Sequence, residues 1–353
     1  VLLLAQSQAS FGGLSLLTDR KNEHLEIVLS GRGRASGHAG FDEIAFEHAA
    51  LPELDMDDID LSTVFLGQRI NAPFLVSSMT GGPMRAAAIN ENLAQACQEL
   101  NLPLAVGSQR IAIEGQENAG INSDLRRLAP SIPLLANFGA AQLNLGFGLA
   151  EAERAVEMIG ADALIIHLNP LQEAVQPEGN RDWRGLLGHI EALARTLSVP
   201  IIAKEVGAGI SGGMARRLVD AGVAVIDVAG SGGTSWALVE AERAQTQEQA
   251  AIARAFANWG VPTAYAIADV RQACPDAYII GSGGIRDGID AAKAIRLGAD
   301  LVGQAAGVLA AATQSAEAVV SHFTVLMAQL RIACFCTGSA DLSRLRQARL
   351  LHA

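Results

Sequence analysis

Short, nearly continuous apolar runs recur along the chain, separated by longer stretches whose apolar positions fall at helical spacing. Eight such runs stand out: Phe74–Ser78, Leu104–Val106, Pro133–Ala136, Ala163–Ile166, Pro200–Ala203, Ala224–Asp227, Ala277–Ile280 and Leu301–Gly303. Runs this short predict strands, and runs without polar alternation predict strands covered on both faces, as in a parallel sheet wrapped by helices. Repeated strand–helix units between Phe74 and about Ala312 predict an α/β fold, a (β/α)8 TIM barrel with an N-terminal extension. Helix ends agree: the stretches Arg216–Ala221 and Ala291–Leu297 stop at Gly222 and Gly298, the residue type that a left-handed cap favours. The interval from Gly230 to Asp276 is too long for one strand–helix step and predicts an extended loop and an extra helix at the barrel mouth. No internal repeat is evident.

Composition narrows the class. The chain has 353 residues, 50% hydrophobic, with 36 glycines, which suits one large domain with many tight turns. That domain is expected over 19–353, after a poorly ordered extension at 1–18 whose apolar start, Val1–Ala5, lacks the basic region of a signal peptide. No apolar run reaches the roughly 20 residues of a membrane span. A net charge of −11 argues against nucleic acid or an anionic membrane as partner, so an anionic ligand needs local cations. The four cysteines, Cys97, Cys274, Cys334 and Cys336, show neither disulfide nor zinc spacing, and a reducing cytoplasm is the expected compartment. The acidic run Asp55–Asp60 puts its carboxylates on no single face and reads as a solvated turn.

Chemistry in such a barrel gathers at the C-terminal strand ends. Two glycine-rich turns, Gly281-Ser-Gly-Gly-Ile-Arg286 and Gly303-Gln-Ala-Ala-Gly307, follow the last two runs. Adjacent bare turns of this kind cradle a phosphate through backbone N–H groups and a helix N-terminus. The other strand ends are polar too: Ser77-Ser-Met-Thr-Gly-Gly82, Gly107-Ser-Gln-Arg110, Asn137, His167-Leu-Asn-Pro-Leu-Gln-Glu173, Lys204 and Gly230-Ser-Gly-Gly-Thr234. One such position is unremarkable, because strand ends often cap the next helix. Lys204 interrupts an apolar run, where an unpaired ammonium is costly, so it either touches an anionic cofactor or pairs with a carboxylate. Glu205 is a poor partner, since adjacent strand residues face opposite ways. His167 and Asn169, two apart, share a side.

Taken together, Arg20-Lys-Asn-Glu-His24, Ser77-Ser-Met-Thr-Gly-Gly82, Gly107-Ser-Gln-Arg110, His167-Leu-Asn-Pro-Leu-Gln-Glu173 and Gly232-Gly-Thr-Ser-Trp236 resemble the type 2 isopentenyl-diphosphate isomerases, in order, from about Asp19 to Val308. The resemblance implies a TIM-barrel enzyme that interconverts isopentenyl and dimethylallyl diphosphate with reduced FMN and Mg2+, NADPH serving as reductant. It assigns the flavin ring and ribityl chain to Ser78, Met79, Thr80, Ser108, Asn137, Lys204 and Thr234, and the FMN phosphate to Gly283, Gly284, Ala305 and Ala306. Glu173 would hold Mg2+. Arg20, Lys21, His24, Ser108, Gln109, Arg110 and Gln172 would bind substrate, and Gln172, His167 and Asn169 would act at the reacting carbons. A homo-oligomer, tetramer or octamer, is implied, as is a place in isoprenoid synthesis. Ala229 departs from the serine common in the family, at the cost of one flavin hydrogen bond. Competing expectations are a 2-hydroxy-acid oxidase-like FMN barrel, which needs a histidine base late in the barrel although none lies between His189 and His322; an inosinate-dehydrogenase-like enzyme, which needs a cysteine where this chain has Gly230–Thr234; and a non-catalytic flavin or phosphate binder.

Overall fold

The computed structural model describes residues 21–79, 84–115 and 121–351. Arg20, Thr80 and the expected extension at 1–18 lie outside the described residues. All eight anticipated runs form strands: β3 (Phe74–Val76), β4 (Leu104–Ala105), β5 (Leu134–Gly139), β6 (Ala163–Leu168), β7 (Ile201–Glu205), β8 (Val225–Asp227), β9 (Tyr278–Ser282) and β10 (Leu301–Gln304). They pair in parallel and in chain order, and β10 closes on β3, so the barrel has no free edge. Period two along each strand sorts the apolar residues into two sets. Leu75, Leu135, Ile165, Ile202, Val225, Ile280 and Leu301 fill the barrel interior as one cluster, while Phe74, Leu134, Leu164, Ile201, Ile226 and Val302 join the larger cluster under the surrounding helices. That double burial is why these segments read as unbroken apolar runs.

A hairpin precedes the barrel, formed by β1 (Thr63–Phe65) and β2 (Gln68–Ile70). Its two-residue turn, Leu66 and Gly67, has φ of 49° and 76°, the doubly positive pattern of a type I′ turn. Phe65 and Ile70 are buried against the inner-barrel cluster, so the hairpin plugs one end of the barrel. Nothing in the pattern had predicted it, because its three-residue strands are too short to show an alternation and its turn lacks the usual Asn-Gly.

Three expectations change. The interval after Gly230 holds two helices beyond the ordinary one: Trp236–Arg243, Gln247–Arg254 and Thr263–Ala273. The helix Ala316–Cys336 is, at 21 residues and a mean hydropathy of 1.6 in its most apolar window, long and apolar enough to span a membrane by length and composition. In the fold it packs on helices Met84–Leu100 and Gly288–Leu297 through Val319, Phe323, Leu326 and Leu330. A repeat also exists, marked in the sequence by the tripeptide Gly-Ala-Asp at 160–162 and again at 298–300. Arg126 donates to the carbonyls of Ala129, Ile132 and Gly160 and to Asp162, which also accepts the N–H of Leu134. Four strands on, Arg271 donates to the carbonyls of Pro275, Ala277 and Gly298 and to Asp300, which accepts the N–H of Ile279. Each clamp joins the N-terminal starts of two neighbouring strands, β5 with β6 and β9 with β10, the face of a barrel that serves stability.

Because each arginine satisfies three carbonyls and a carboxylate, Arg126→Ala and Arg271→Ala are each expected to lower unfolding stability by about 2–4 kcal/mol. Urea denaturation measures this; a loss under about 0.5 kcal/mol at either site means that water replaces the clamp.

Candidate active site

Two residues beyond six of the inward apolar positions, the same column turns polar. Leu75 is followed by Ser77, Leu135 by Asn137, Ile165 by His167, Ile202 by Lys204, Val225 by Asp227, and Ile280 by Ser282. These inward polar positions form the floor of a cavity of about 630 Å³, lined by Ser77, Asn137, His167, Lys204 and Ser282. Its size is in the roughly 300–1,000 Å³ range of cofactor pockets. The N-terminal segment of the same chain closes over it: residues 21–29 are helical, and Lys21, His24, Leu25 and Val28 line the cavity. That segment is pinned by Ala35 N–H to Gly233 O (3.0 Å) and Ser235 N–H to Gly33 O (2.8 Å).

Lys204 pairs with a carboxylate, and it also lines the cavity. Its side chain is 8% exposed and its Nζ lies 3.3 Å from Asp227 Oδ2, on the neighbouring strand at the paired register position. Nζ also donates to Glu205 O at 3.0 Å, while Ser282 Oγ donates to Asp227 Oδ1 at 2.5 Å. The ammonium therefore has a counter-ion beneath it and the cavity above it. Glu205 faces away, as alternation requires, and its Oε2 accepts the N–H groups of Val206, Gly207, Ala208 and Gly209, shaping the loop at the cavity rim. Burial pushes its carboxyl up to about 7 against the pull of those amides.

His167 Nδ1 lies 2.7 Å from Asn137 Oδ1, and Asn137 Nδ2 donates to Ser78 Oγ at 2.7 Å. An amide oxygen only accepts, so the ring carries its proton on Nδ1. Burial first, then the charges of Lys204 and Lys21, lower its pKa to about 4. His167 is thus neutral at pH 7.

One multiply bonded group of the site was not anticipated. Glu240, on the helix Trp236–Arg243, has a side chain only 2% exposed. Its Oε1 accepts from Gln172 Nε2 (3.0 Å) and Gln176 Nε2 (2.5 Å) and meets His24 Nε2 at 3.0 Å, while Oε2 accepts from Arg243 Nη1 at 2.6 Å. One buried carboxylate thus joins the N-terminal helix, the segment after β6 and the helix after β8. In sequence it reads as an ordinary helical acid, and no local signal marks it.

The remaining expected residues fall into groups. Asn169 Nδ2 donates to Gln172 Oε1 and Glu173 Oε1, both at 3.1 Å, and all three residues line the cavity. Glu173 Oε2 also accepts the N–H of Asn180 at 2.6 Å. Lys21 Nζ reaches Ser108 O at 3.4 Å, and Arg110, at the cavity edge, pairs with Glu114 at 2.9 Å. Met79 and Thr234 line the cavity. Gln109 requires correction: it is 1% exposed and does not line the cavity. Its amide donates to Ala155 O (2.9 Å) and accepts the Asn137 N–H (2.8 Å), so it braces β5 from the side away from substrate.

The glycine turns interlock too tightly for side chains. Gly283 has φ of 101°, and a Cβ there would stand 2.2 Å from Gly230 O; one on Gly233 would stand 2.7 Å from Gly284 N. Thr263 Oγ1 anchors the turn by donating to Gly283 O at 2.6 Å. Bare backbone at Gly283 and Gly284, with Ala305 and Ala306 beside them, therefore walls one end of the cavity. Two atoms of cavity-lining residues, Ser77 Oγ and Asn169 Oδ1, are buried without a protein partner. A lysine at the floor, unpartnered polar atoms and a side-chain-free turn fit a flavin nucleotide. Among the described residues no group of three or more His, Cys, Asp or Glu could hold a metal, which leaves Glu173 as a lone carboxylate at the cavity.

A family model described as FMN-dependent dehydrogenase matches residues 30–117 and 169–352. An isopentenyl-diphosphate delta-isomerase of Stutzerimonas stutzeri is 66% identical over 337 residues, 95% of this chain and 97% of that protein. The chain belongs to the type 2 isopentenyl-diphosphate delta-isomerase family. A second member, from Xanthobacter autotrophicus, is 62% identical over 94% of this chain and 96% of its own. Among solved structures, a flavocytochrome b2 variant superposes with a TM-score of 0.66 at 17% identity, over 93% of this chain and 82% of that one. A mandelate oxidase gives 0.64 at 16% identity, over 95% and 98%. These two likenesses concern the barrel alone.

Glu240 makes this isomerase-family site sensitive to acid. Burial opposes its ionisation, but the hydrogen bond and charge of His24, with Gln172 and Arg243, hold its carboxyl down to about 2, below the ordinary 4.5. A depressed folded-state value stabilises above the unfolded value and is lost as pH falls from about 4.5 toward 2. The contribution is on the order of 3 kcal/mol. Glu240→Gln is expected to be less stable at pH 7 and to show a flatter decline of stability below pH 4.5 by urea denaturation. An unchanged decline means that another group carries the acid lability.

Proposed function

We infer that this cavity converts isopentenyl diphosphate to dimethylallyl diphosphate, with FMN in reduced form and Mg2+ on the diphosphate. Family membership supports the reaction, and one observation supports its location: the row Asn169, Gln172 and Glu173 faces the same cavity as the bare turns at Gly283 and Gly284. The reaction adds a proton to one alkene carbon and removes one from a carbon two bonds away, through a state with tertiary-cation character. An unactivated alkene is a poor match for carboxylate or imidazole. The chemistry that bound FMN supplies is proton exchange with that alkene at no net redox change.

The chain's own groups provide the setting. Lys204 at the floor favours negative charge above it, with Asp227 limiting the net field. His167 is held neutral, its Nδ1 proton committed to Asn137, so it adds no second cation beside Lys204. Glu240 fixes the Gln172 amide and His24, so that Gln172 meets the reacting carbons in one orientation. Glu173 supplies the single protein ligand that Mg2+ takes when phosphate oxygens and water complete its shell. Lys21 and Arg110 at the cavity, and Arg20 beside them in sequence, concentrate positive charge for the diphosphate in a chain of net charge −11. NADPH as reductant, a homo-oligomeric assembly, a cytoplasmic setting and isoprenoid synthesis belong to the same reading.

Anaerobic assays with NADPH or dithionite and Mg2+ are expected to yield dimethylallyl diphosphate, detected by proton NMR, and oxidised flavin to yield none. Equal turnover in both states overturns the role given to reduced FMN, and oxidation of a 2-hydroxy acid instead would favour an oxidase of the same barrel.

Substitutions separate the binding roles. Glu173→Gln is expected to raise the Mg2+ concentration needed for half-maximal activity by about tenfold or more, with the visible flavin spectrum unchanged. Lys21→Ala is expected to raise the apparent substrate constant by about ten- to a hundredfold, from the loss of one charge-assisted hydrogen bond. Wild-type Mg2+ dependence in the first variant reduces Glu173 to a helix-terminal carboxylate, and an unchanged substrate constant in the second removes Lys21 from the clamp.

A further inference from the structure

One side chain spans the two glycine-rich turns. Gln304 ends β10 and is 4% exposed. Its Nε2 donates to Ile285 O, in the first turn, at 3.2 Å, and its Oε1 lies 2.5 Å from His322 Nε2, on the helix Ala316–Cys336. The directions are fixed by chemistry. A carbonyl must receive the amide nitrogen, so the amide oxygen faces the imidazole, which must then carry a proton on Nε2. In the second turn, Gly307 packs on the same amide: a Cβ there would come within 2.7 Å of Gln304 Cδ. The backbone of Gln304 is tied as well, its carbonyl accepting the Ser77 N–H at 2.9 Å. Phe323, next to His322, docks against Phe74 at a ring-centroid distance of 6.0 Å and so anchors the helix on the barrel. His322 and Gln304 both reach the cavity wall.

We propose that Gln304, oriented by His322, is a positioning pair that holds the Ile285 and Gly307 turns at the separation a phosphate group requires. The pair bonds no reacting atom. It fixes the spacing of two backbone segments that the sheet beneath them also joins, and it does so from the long helix that follows β10 and packs between Met84–Leu100 and Gly288–Leu297. This rests on reading the two turns as the FMN phosphate cradle.

Flavin titrations of the full-length protein stripped of its flavin, followed by quenching of flavin fluorescence, test both ideas separately. FMN and riboflavin differ only in the phosphate. Wild-type protein is expected to prefer FMN; if it does not, the cradle reading fails and the pair loses its purpose. His322→Ala and Gln304→Leu are each expected to weaken FMN binding by about two- to tenfold, the range of one hydrogen bond, with riboflavin binding unchanged. His322→Gln, which restores an N–H donor, is expected to recover most of the preference. Equal weakening of both flavins shows general packing and overturns the proposal. A wild-type preference retained in both His322→Ala and Gln304→Leu overturns it as well. Riboflavin affinity doubles as the folding control, and if His322→Ala does not fold, Gln304→Leu carries the test.

Discussion

A closed parallel barrel gives every inward side chain neighbours on both sides, so an inward polar group must find a partner or face open space at the barrel's end. The rest of this structure follows from how that demand is met. Apolar residues occupy the middle of each inner column, the β1–β2 hairpin seals one end with Phe65 and Ile70, and the polar continuation of the columns emerges at the other. There the Lys204–Asp227–Ser282 chain is internally paired, while Ser77 Oγ and Asn169 Oδ1 are left for a ligand. Position along a strand thus separates stability from chemistry.

Around that floor, three groups keep loops in place. Glu205 gathers four backbone N–H groups of its own loop, Glu240 ties three separate segments, and Thr263 anchors the Gly283 turn. Each is buried; Glu205 is satisfied within its own loop, whereas Glu240 and Thr263 bond segments that meet only in the folded chain. A buried carboxylate with several donors is rigid, because losing any one leaves charge uncompensated. Rigidity here serves orientation: Gln172 and His24 owe their directions to Glu240 rather than to their own backbone.

At the opposite end the Arg126–Asp162 and Arg271–Asp300 clamps repeat across half the barrel without touching the cavity. They hold strand starts as the polar floor holds strand ends. The two faces therefore answer to different demands, and substitutions at one need not disturb the other.

By itself the sequence determined the barrel, since doubly buried strands leave unbroken apolar runs and all eight were visible. It also determined most of the cavity wall, because glycine turns such as 283–284 and the segment His167–Glu173 carry their chemistry in consecutive residues. What only the tertiary structure decided are the relations between distant residues. Asp227 became the partner of Lys204 through register across two strands. Gln109 turned out of the cavity to bond Ala155 O and the Asn137 N–H, residues 46 and 28 positions away. Glu240, Gln304 and His322 gained meaning from contacts that sequence spacing does not encode, the Glu240 bond to His24 joining residues 216 apart. Periodicity reports which face a residue occupies. Only packing of one element on another reports what that face meets.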